Sequence, residues 1–146
     1  MPNIRLMVLD YKRRANVTKI RSVFAPYMPV TIINNNSNIP HPHLAYPVDV
    51  INNERNWFCM ERWVRCYEYD EPYKLIVDDD LLPHPSLVKK MLEKNLPIVG
   101  IYGKSGVKTA NAYKDLVDHW NINSKVDFLV GSVILVKQSA LNLIKD

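Results

Sequence analysis

Tyr73-Lys74-Leu75-Ile76-Val77-Asp78-Asp79-Asp80 decides how the rest of the chain is read. Leu75, Ile76 and Val77 are continuous apolar residues. A strand with one wet face alternates, so an unbroken run predicts a strand buried on both faces. Leu81-Leu82-Pro83 follows and is expected to end it. The three carboxylates then fall at the carboxyl end of a central strand, where open α/β sheets bind ligands. Three like charges side by side are unfavourable unless something positive lies among them. A divalent cation is the simplest candidate, because hard cations take oxygen ligands. If strand geometry persists, Asp78 and Asp80 share a face and Asp79 turns away from it. The alternative is a solvated acidic turn, since turns need polar residues. The buried run immediately before the aspartates argues against that.

Upstream, Ile4 to Asp10 reads as a first strand, followed by the polar connection Tyr11 to Asn16. Val17, Ile20 and Phe24 recur at helical spacing, with Asn16 as the expected N-cap and Pro26 and Pro29 closing the helix. Val30 to Ile33 is a second strand ending in an asparagine run. Pro40, Pro42 and Pro47 hold the next loop extended. Val48 to Ile51 is a short third strand with the polar exit Asn52 to Asn56. Trp57 to Tyr69 suits a helix whose inner face is aromatic: Trp57, Trp63 and Tyr67, with Met60 and Val64.

Downstream, Pro85-Ser86 opens a helix with Leu87, Val88, Met91 and Leu92 turned inward. Ile98 to Tyr102 is a fifth strand and Gly103 to Gly106 a flexible turn. Val126 to Val136 holds two apolar runs split by Gly131-Ser132, expected as a hairpin or a bent strand. Gln138 to Ile144 reads as a last helix. There is no internal repeat, and no low-complexity tract beyond the asparagines.

Strand and helix alternate through the first 95 residues or so, which predicts a largely parallel sheet. The expected fold is α/β: an open, mostly parallel Rossmann-like sheet flanked by helices, with a small antiparallel C-terminal part. Loops after the strands should then meet at one edge. They carry Asp10 to Arg14, Asn34 to Asn36, Asn52 to Arg55 and Asp78 to Asp80. Four polar loops at one edge make a stronger site signal than any one of them.

Composition bounds the rest. The chain has 146 residues, 47% hydrophobic and 23% charged, so one globular domain over 1–146 is expected. Its formal charge of +4 suits an anionic small ligand as well as a merely soluble surface. Cys59 and Cys66 are seven apart, which puts both on one helix face as small buried residues in a reducing compartment. No run approaches ~18 apolar residues, so no membrane segment is expected, and the cytosol is the default location. Phosphate-cradling GxxxxGK[ST], dinucleotide GxGxxG and zinc HExxH patterns do not occur.

Arginine matches phosphate bidentately, so Arg13 and its neighbours Lys12 and Arg14 could hold a diphosphate, with Arg55 and Arg62 further candidates. The alternative for Arg62, which lies in the helix, is a surface pair with Glu61 or Asp70. The asparagine run, Asn35 included, suits a tight turn or hydrogen bonds to a base or ribose. The histidines read as structural; His41 and His43 are expected at the surface, and Pro83 and Pro85 should hold His84 outward.

LMVLDYKRR, TIINNNS, VDVINNERNW and LIVDDDLLPHPSLV, taken in that order, resemble nucleotide-sugar-dependent glycosyltransferases of the GT-A fold. VDFLVGSVILVK resembles the strand-Gly-strand segment of that family. The likeness is to short DDD-type members encoded by large algal viruses, and it runs from about Ile4 to Lys137. It implies Mn2+ or Mg2+ held by Asp80 and Asp78. It also implies that Asp78 or Asp79 contacts the ribose or sugar, that Tyr11 stacks near the base and that Arg13 lies near the nucleotide. Asp127 falls where relatives place an acceptor-side or catalytic carboxylate. The implied partners are a nucleotide-sugar donor, UDP-linked by preference, and a glycan or protein-linked glycan acceptor. For a viral member, the location would be the host cytoplasm. Many relatives are longer, so the resemblance implies a compact member, or one whose acceptor recognition lies on another segment or chain.

Two other classes compete with this reading. Nucleotidyl or phosphoryl transfer uses similar layouts, but an aspartyl phosphatase needs Asp-x-Asp-x-Thr after the first strand, and here Asp10 is followed by Tyr11-Lys12-Arg13. A non-catalytic nucleotide- or nucleic-acid-binding module is the other. Eight tyrosines and a net positive charge suit it, but no basic helix or RNP-like strand appears, and no nucleic acid is expected as a partner.

Overall fold

The computed structural model describes residues 3–107 and 115–143. The expected strands at β1 (Ile4–Asp10), β2 (Val30–Asn34), β3 (Val48–Asn52) and β4 (Tyr73–Asp78) are all present. They build a six-stranded sheet ordered β3-β2-β1-β4-β9-β5, with β5 at Ile98–Gly100 and β9 at Val133–Lys137. The first four strands run parallel, and β9 is antiparallel to both β4 and β5. Leu75, Ile76 and Val77 are fully buried.

The two faces of the sheet bury different helices. Leu75 and Val77 join a core with Val17, Ile20 and Phe24 of α1 (Arg14–Phe24) and Val88 and Met91 of α3 (Pro85–Glu93). Ile76 faces the other way, toward Cys66 of α2 (Glu61–Cys66) and Leu141 of α4 (Gln138–Asn142). The unbroken apolar run is thus explained by helices on both sides. Burying each such side chain contributes about 1.5–3 kcal/mol. The expected end of the last helix at Ile144 lies outside the described residues, as do Met1 and Pro2.

A second sheet of three short strands, ordered β7-β6-β8, stands apart. It comprises β6 (Gly103–Ser105), β7 (Val117–His119) and β8 (Phe128–Leu129). The stretch read as a flexible turn, Gly103 to Gly106, is therefore mostly a strand. The two apolar runs around Gly131-Ser132 form no hairpin: β8 joins the small sheet and β9 the large one.

The Trp57 to Tyr69 segment departs most from its expected form. Phe58 has φ 56°, an uncommon left-handed conformation for a bulky residue. Asn56 Oδ1 accepts its N–H at 2.8 Å, and Asn35 Nδ2 donates to its carbonyl at 3.0 Å. A 3-10 turn over Phe58–Met60 follows, and α2 starts only at Glu61. This break resets the helical phase. Trp57, Met60 and Val64 are exposed, while Glu61, Arg62 and Cys66 face inward. The cysteines part company for the same reason, with Cys59 exposed and Cys66 buried. Burial pushes the Cys66 thiol up to about 12, so it stays protonated.

Candidate functional site

From β1 the chain winds outward through β2 and β3, then returns to lay β4 on the opposite side of β1. Strand order reverses between β1 and β4, and open α/β sheets bind ligands at the carboxyl ends of such a switch point. Leu9 pairs with Asp78 there, so Asp10 and Asp79 lie just beyond, at the mouth of the crevice.

The strand ends at Asp78, and Asp79 and Asp80 form a turn closed by the Leu81 N–H on the Asp78 carbonyl at 3.3 Å. The alternation that would give Asp78 and Asp80 a common face therefore does not reach Asp80. The three carboxylates have three distinct surroundings. Asp79 is buried at 6% exposure. Its Oδ2 accepts the Tyr11 N–H at 3.1 Å and the Lys12 N–H at 3.4 Å, and its Oδ1 accepts from the Arg13 guanidinium at 3.0 Å. Asn16, expected as an N-cap, instead donates its side-chain amide to the Asp79 carbonyl at 3.1 Å. The residue in N-cap position is Arg13, without a side-chain cap bond. Asp79 thus ties the β1–α1 loop to the end of β4. Asp78 is half-buried and paired with Arg62. Asp80 is exposed.

Arg62, a further candidate beside Arg55, does lie at the end of β4. It is not a surface partner of Glu61 or Asp70. Glu61 pairs with Arg65 at 2.6 Å, while Arg62 is buried with its guanidinium against Asp78. Burial lowers its pKa, partly offset by the nearby Cys59, Cys66 and Asp80. Arg62 lies one helical turn before Cys66, a residue whose sequence pattern predicts burial. The positive charge that three adjacent aspartates require is supplied, in the protein itself, by Arg62 and Arg13.

His41 is a second correction. It is buried, with Nε2 2.5 Å from Asp10 Oδ2, and Arg14 Nε lies 4.0 Å from the same oxygen. The Asp10 Oδ1 atom is buried without a partner among the described residues. His84 caps α3 by accepting the Ser86 N–H at 3.2 Å, and His43 is exposed.

The asparagines form a lattice rather than a free binding surface. Asn34 Nδ2 donates to Asn52 Oδ1 at 2.8 Å, which also accepts the His41 N–H at 2.8 Å. Asn53 Nδ2 donates to Asn35 Oδ1 at 2.7 Å. Both residues of the Asn35–Asn53 pair are buried, which ties the ends of β2 and β3 together. Tyr11, Lys12 and Arg55 are exposed; Lys12 Nζ lies 4.8 Å from the Tyr11 ring centre, and the Arg55 guanidinium stacks 3.8 Å over Trp57. Arg55 and Trp57 border a cleft of about 500 Å3 with Asn53 and Arg65.

Asp127 belongs to a different region. Its Oδ2 accepts the Gly106 N–H at 2.7 Å and the Val107 N–H at 3.0 Å, fastening the loop after β6. It lines a cleft of about 410 Å3 with Trp63, Ile122 and Leu129, between the two sheets. Asp78, Asp79 and Asp80 do not line that cleft.

Among the described residues no group of three or more His, Cys, Asp or Glu side chains could by itself hold a metal. Mg2+ is commonly held by one or two carboxylates plus substrate phosphates. Of the two expected ligands, Asp80 is exposed and Asp78 is held by Arg62.

Similar folds occur in solved structures. A CMP:2-keto-3-deoxy-manno-octonic acid synthetase complexed with CTP matches 96% of this chain and 76% of its own, with a TM-score of 0.58 and 11% identity. The glycosyltransferase GlyE of Streptococcus pneumoniae TIGR4 matches 98% of this chain at 12% identity and a TM-score of 0.48. Its apo form matches 92% at 13% and 0.44. This chain spans 36% and 34% of those two. No protein-family model and no curated protein matches the chain. The fold is α/β, similar to that of the synthetase, with a mainly parallel sheet and a small separate antiparallel one. No helix among the described residues is long and apolar enough to cross a membrane.

Proposed function

We propose that the chain is a metal-dependent transferase that binds a nucleotide sugar, UDP-linked by preference, between β1 and β4 and passes its sugar to a glycan acceptor. The observation that carries this is the exposed Asp80 beside the Arg62–Asp78 pair, at the switch point of a fold similar to that of a synthetase complexed with CTP. Asp80 and Asp78 would hold Mn2+ or Mg2+, which when bound neutralises charge on a departing diphosphate. Asp79 keeps the β1–α1 loop in place, so the exposed Lys12 and Tyr11 are presented at the crevice mouth. There Tyr11 can stack on a base and Lys12 can meet a phosphate. Arg55, stacked on Trp57, offers a second anion contact beyond β3. On the acceptor side, Asp127 would take the proton of an attacking hydroxyl, a role it would share with its hold on the Gly106–Val107 loop.

The test is a thermal-shift panel of nucleotide sugars with and without Mn2+, followed by turnover of the best binder. A UDP-sugar should stabilise the protein more with Mn2+ than without, and Asp80→Ala should abolish both that gain and turnover while remaining folded. Unchanged turnover in Asp80→Ala would remove the carboxylates from the mechanism.

A second reading is nucleotidyl transfer from a nucleoside triphosphate, favoured by the likeness to a synthetase complexed with CTP. The Tyr11 and Lys12 amides, which a triphosphate cradled after β1 would use, are taken by Asp79 instead. Calorimetry comparing UTP with UDP-sugars in Mn2+ separates the two readings.

A further inference from the structure

We infer that the cleft between α3 and the small sheet is a glycan-binding platform, with the open face of Trp120 carrying an outer sugar unit of the acceptor. This rests on the acceptor reading of Asp127 above. It adds the kind of acceptor: an oligosaccharide rather than a lone sugar.

The aromatic surface is braced from behind. Trp120, just after β7, is 66% exposed. Tyr102 lies flat against one indole face, with ring centres 3.9 Å apart and planes 9° from parallel. The Tyr102 hydroxyl donates to Asp118 Oδ1 at 2.8 Å, and Lys104 Nζ donates to the same oxygen. The phenol is thus pinned, and it steadies the indole stacked on it. Trp120 lines a cleft of about 560 Å3 and Tyr102 does not. The indole face turned away from Tyr102 is therefore the one left to a ligand. Ligand pockets usually measure roughly 300–1,000 Å3, so this cleft is large enough for one.

The walls select the class of ligand. A sugar ring presents a flat face of C–H groups, which the negative face of an aromatic ring attracts. Its rim of hydroxyls both donates and accepts. Leu87, Ile101 and Ile122 make the cleft partly apolar, while Glu93 can accept and Lys90 can donate. Asn121 keeps its NH2 to donate, because its Oδ1 already accepts the Asn123 and Ser124 N–H groups at 2.8 and 2.9 Å. A nucleotide would also stack on Trp120, but its phosphates call for unmatched cations. Lys94 is tied to Asn123 Oδ1 at 2.6 Å, and Glu93 offsets Lys90. A neutral, hydroxyl-rich ring suits these walls better than an anion. Asn121 and Ile122 also line the cleft that holds Asp127, so the two spaces adjoin. A glycan with its reacting end at Asp127 lays its next units across Trp120.

The experiment applies the full chain to an array of neutral and acidic glycans, with and without UDP and Mn2+, and then titrates the best neutral binder by calorimetry. Wild type should bind that oligosaccharide at least about fivefold more tightly than its terminal monosaccharide, and Trp120→Ala should lose roughly tenfold on the oligosaccharide and little on the monosaccharide, as one lost ring contact implies. Trp120→Phe should recover part of the loss. Tyr102→Ala should lose an intermediate amount, because the indole is no longer braced. In wild type, the Trp120 indole N–H resonance, assigned by its absence from the Trp120→Phe spectrum, should shift on glycan addition; this serves should Trp120→Ala fail to fold. No glycan bound by wild type, an oligosaccharide affinity of Trp120→Ala equal to that of wild type, or an indole that shifts with UTP and with no glycan overturns the inference. If glycans bind through Trp120 while no nucleotide sugar binds, the transferase reading falls and the glycan platform stands. If a UDP-sugar binds and no glycan engages Trp120, the platform falls and the donor reading stands.

Discussion

Both ends of the β1–β4 pair bury charge, and they handle it in opposite ways. At the amino end, Arg5 donates to Asp49 at 2.5 Å, Glu71 at 2.8 Å and Thr31 at 3.1 Å, and stacks 4.0 Å over Tyr69. Burial acts against the Arg5 charge, but the bonds to Glu71 and Asp49 outweigh it and raise its pKa. Lys74, fully buried on the adjoining strand, donates to Gln138 Oε1 at 2.6 Å and to the Glu71 carbonyl. At the carboxyl end, Arg62 meets Asp78, but burial prevails and its pKa falls. Asp80 stays in solvent. A closed network of this kind holds a fold together, whereas a charge cluster left open on one side can exchange partners with a ligand.

The contrast can be broken experimentally, starting at the amino end. Arg5→Met leaves Asp49 and Glu71 without their cation and should cost about 3–5 kcal/mol in denaturant unfolding. Nucleotide affinity of the folded fraction should be unchanged; a loss of nucleotide affinity there would mean that the two ends are not separate. Asp79→Ala should cost roughly 1.5–3 kcal/mol, since it removes charge-assisted bonds to the β1–α1 loop. It should also weaken nucleotide binding, because the loop loses its anchor; calorimetry reads both effects.

Glu71→Gln tests pH dependence. Burial pushes the Glu71 carboxyl up, but the Arg5 hydrogen bond pulls it further down, so its folded pKa lies below the ordinary glutamate value of 4.5. Its stabilisation is present above 4.5 and fades as pH falls through the folded value. Wild type should lose this increment in acid, and Glu71→Gln should lack it at neutral pH and show a shallower acid limb in melts across pH 3 to 7 (about the range where carboxylates titrate). Asp80→Ala should change stability by no more than about 0.5 kcal/mol, as expected for an exposed side chain. A larger loss would make Asp80 a structural residue like Asp79.

The sheet was legible because its strands carry unbroken apolar runs, and Leu75-Ile76-Val77 named the central one. The gathering of the polar loops at one sheet edge was legible as well, from the alternation of strand and helix up to Glu93, whereas the strand order that makes the switch point was not. What failed were places where backbone geometry changes phase. The left-handed Phe58 could not be seen in a segment that reads as a helix from Trp57 onward, and it turned the face of α2. The turn at Asp79-Asp80 broke the alternation assumed for the aspartates. Gly131-Ser132 sent two similar apolar runs to two different sheets.

The amino acids alone determined that three carboxylates end a buried strand and that something positive must stand among them. That follows from local apolar periodicity and from charge, and neither needs coordinates. Tertiary structure alone decided what the positive groups are and how the three acids divide. Arg13 arrives from the neighbouring strand's loop and Arg62 from a helix on the far face. Contacts between groups so distant in sequence are set by how layers pack, which no spacing along the chain encodes.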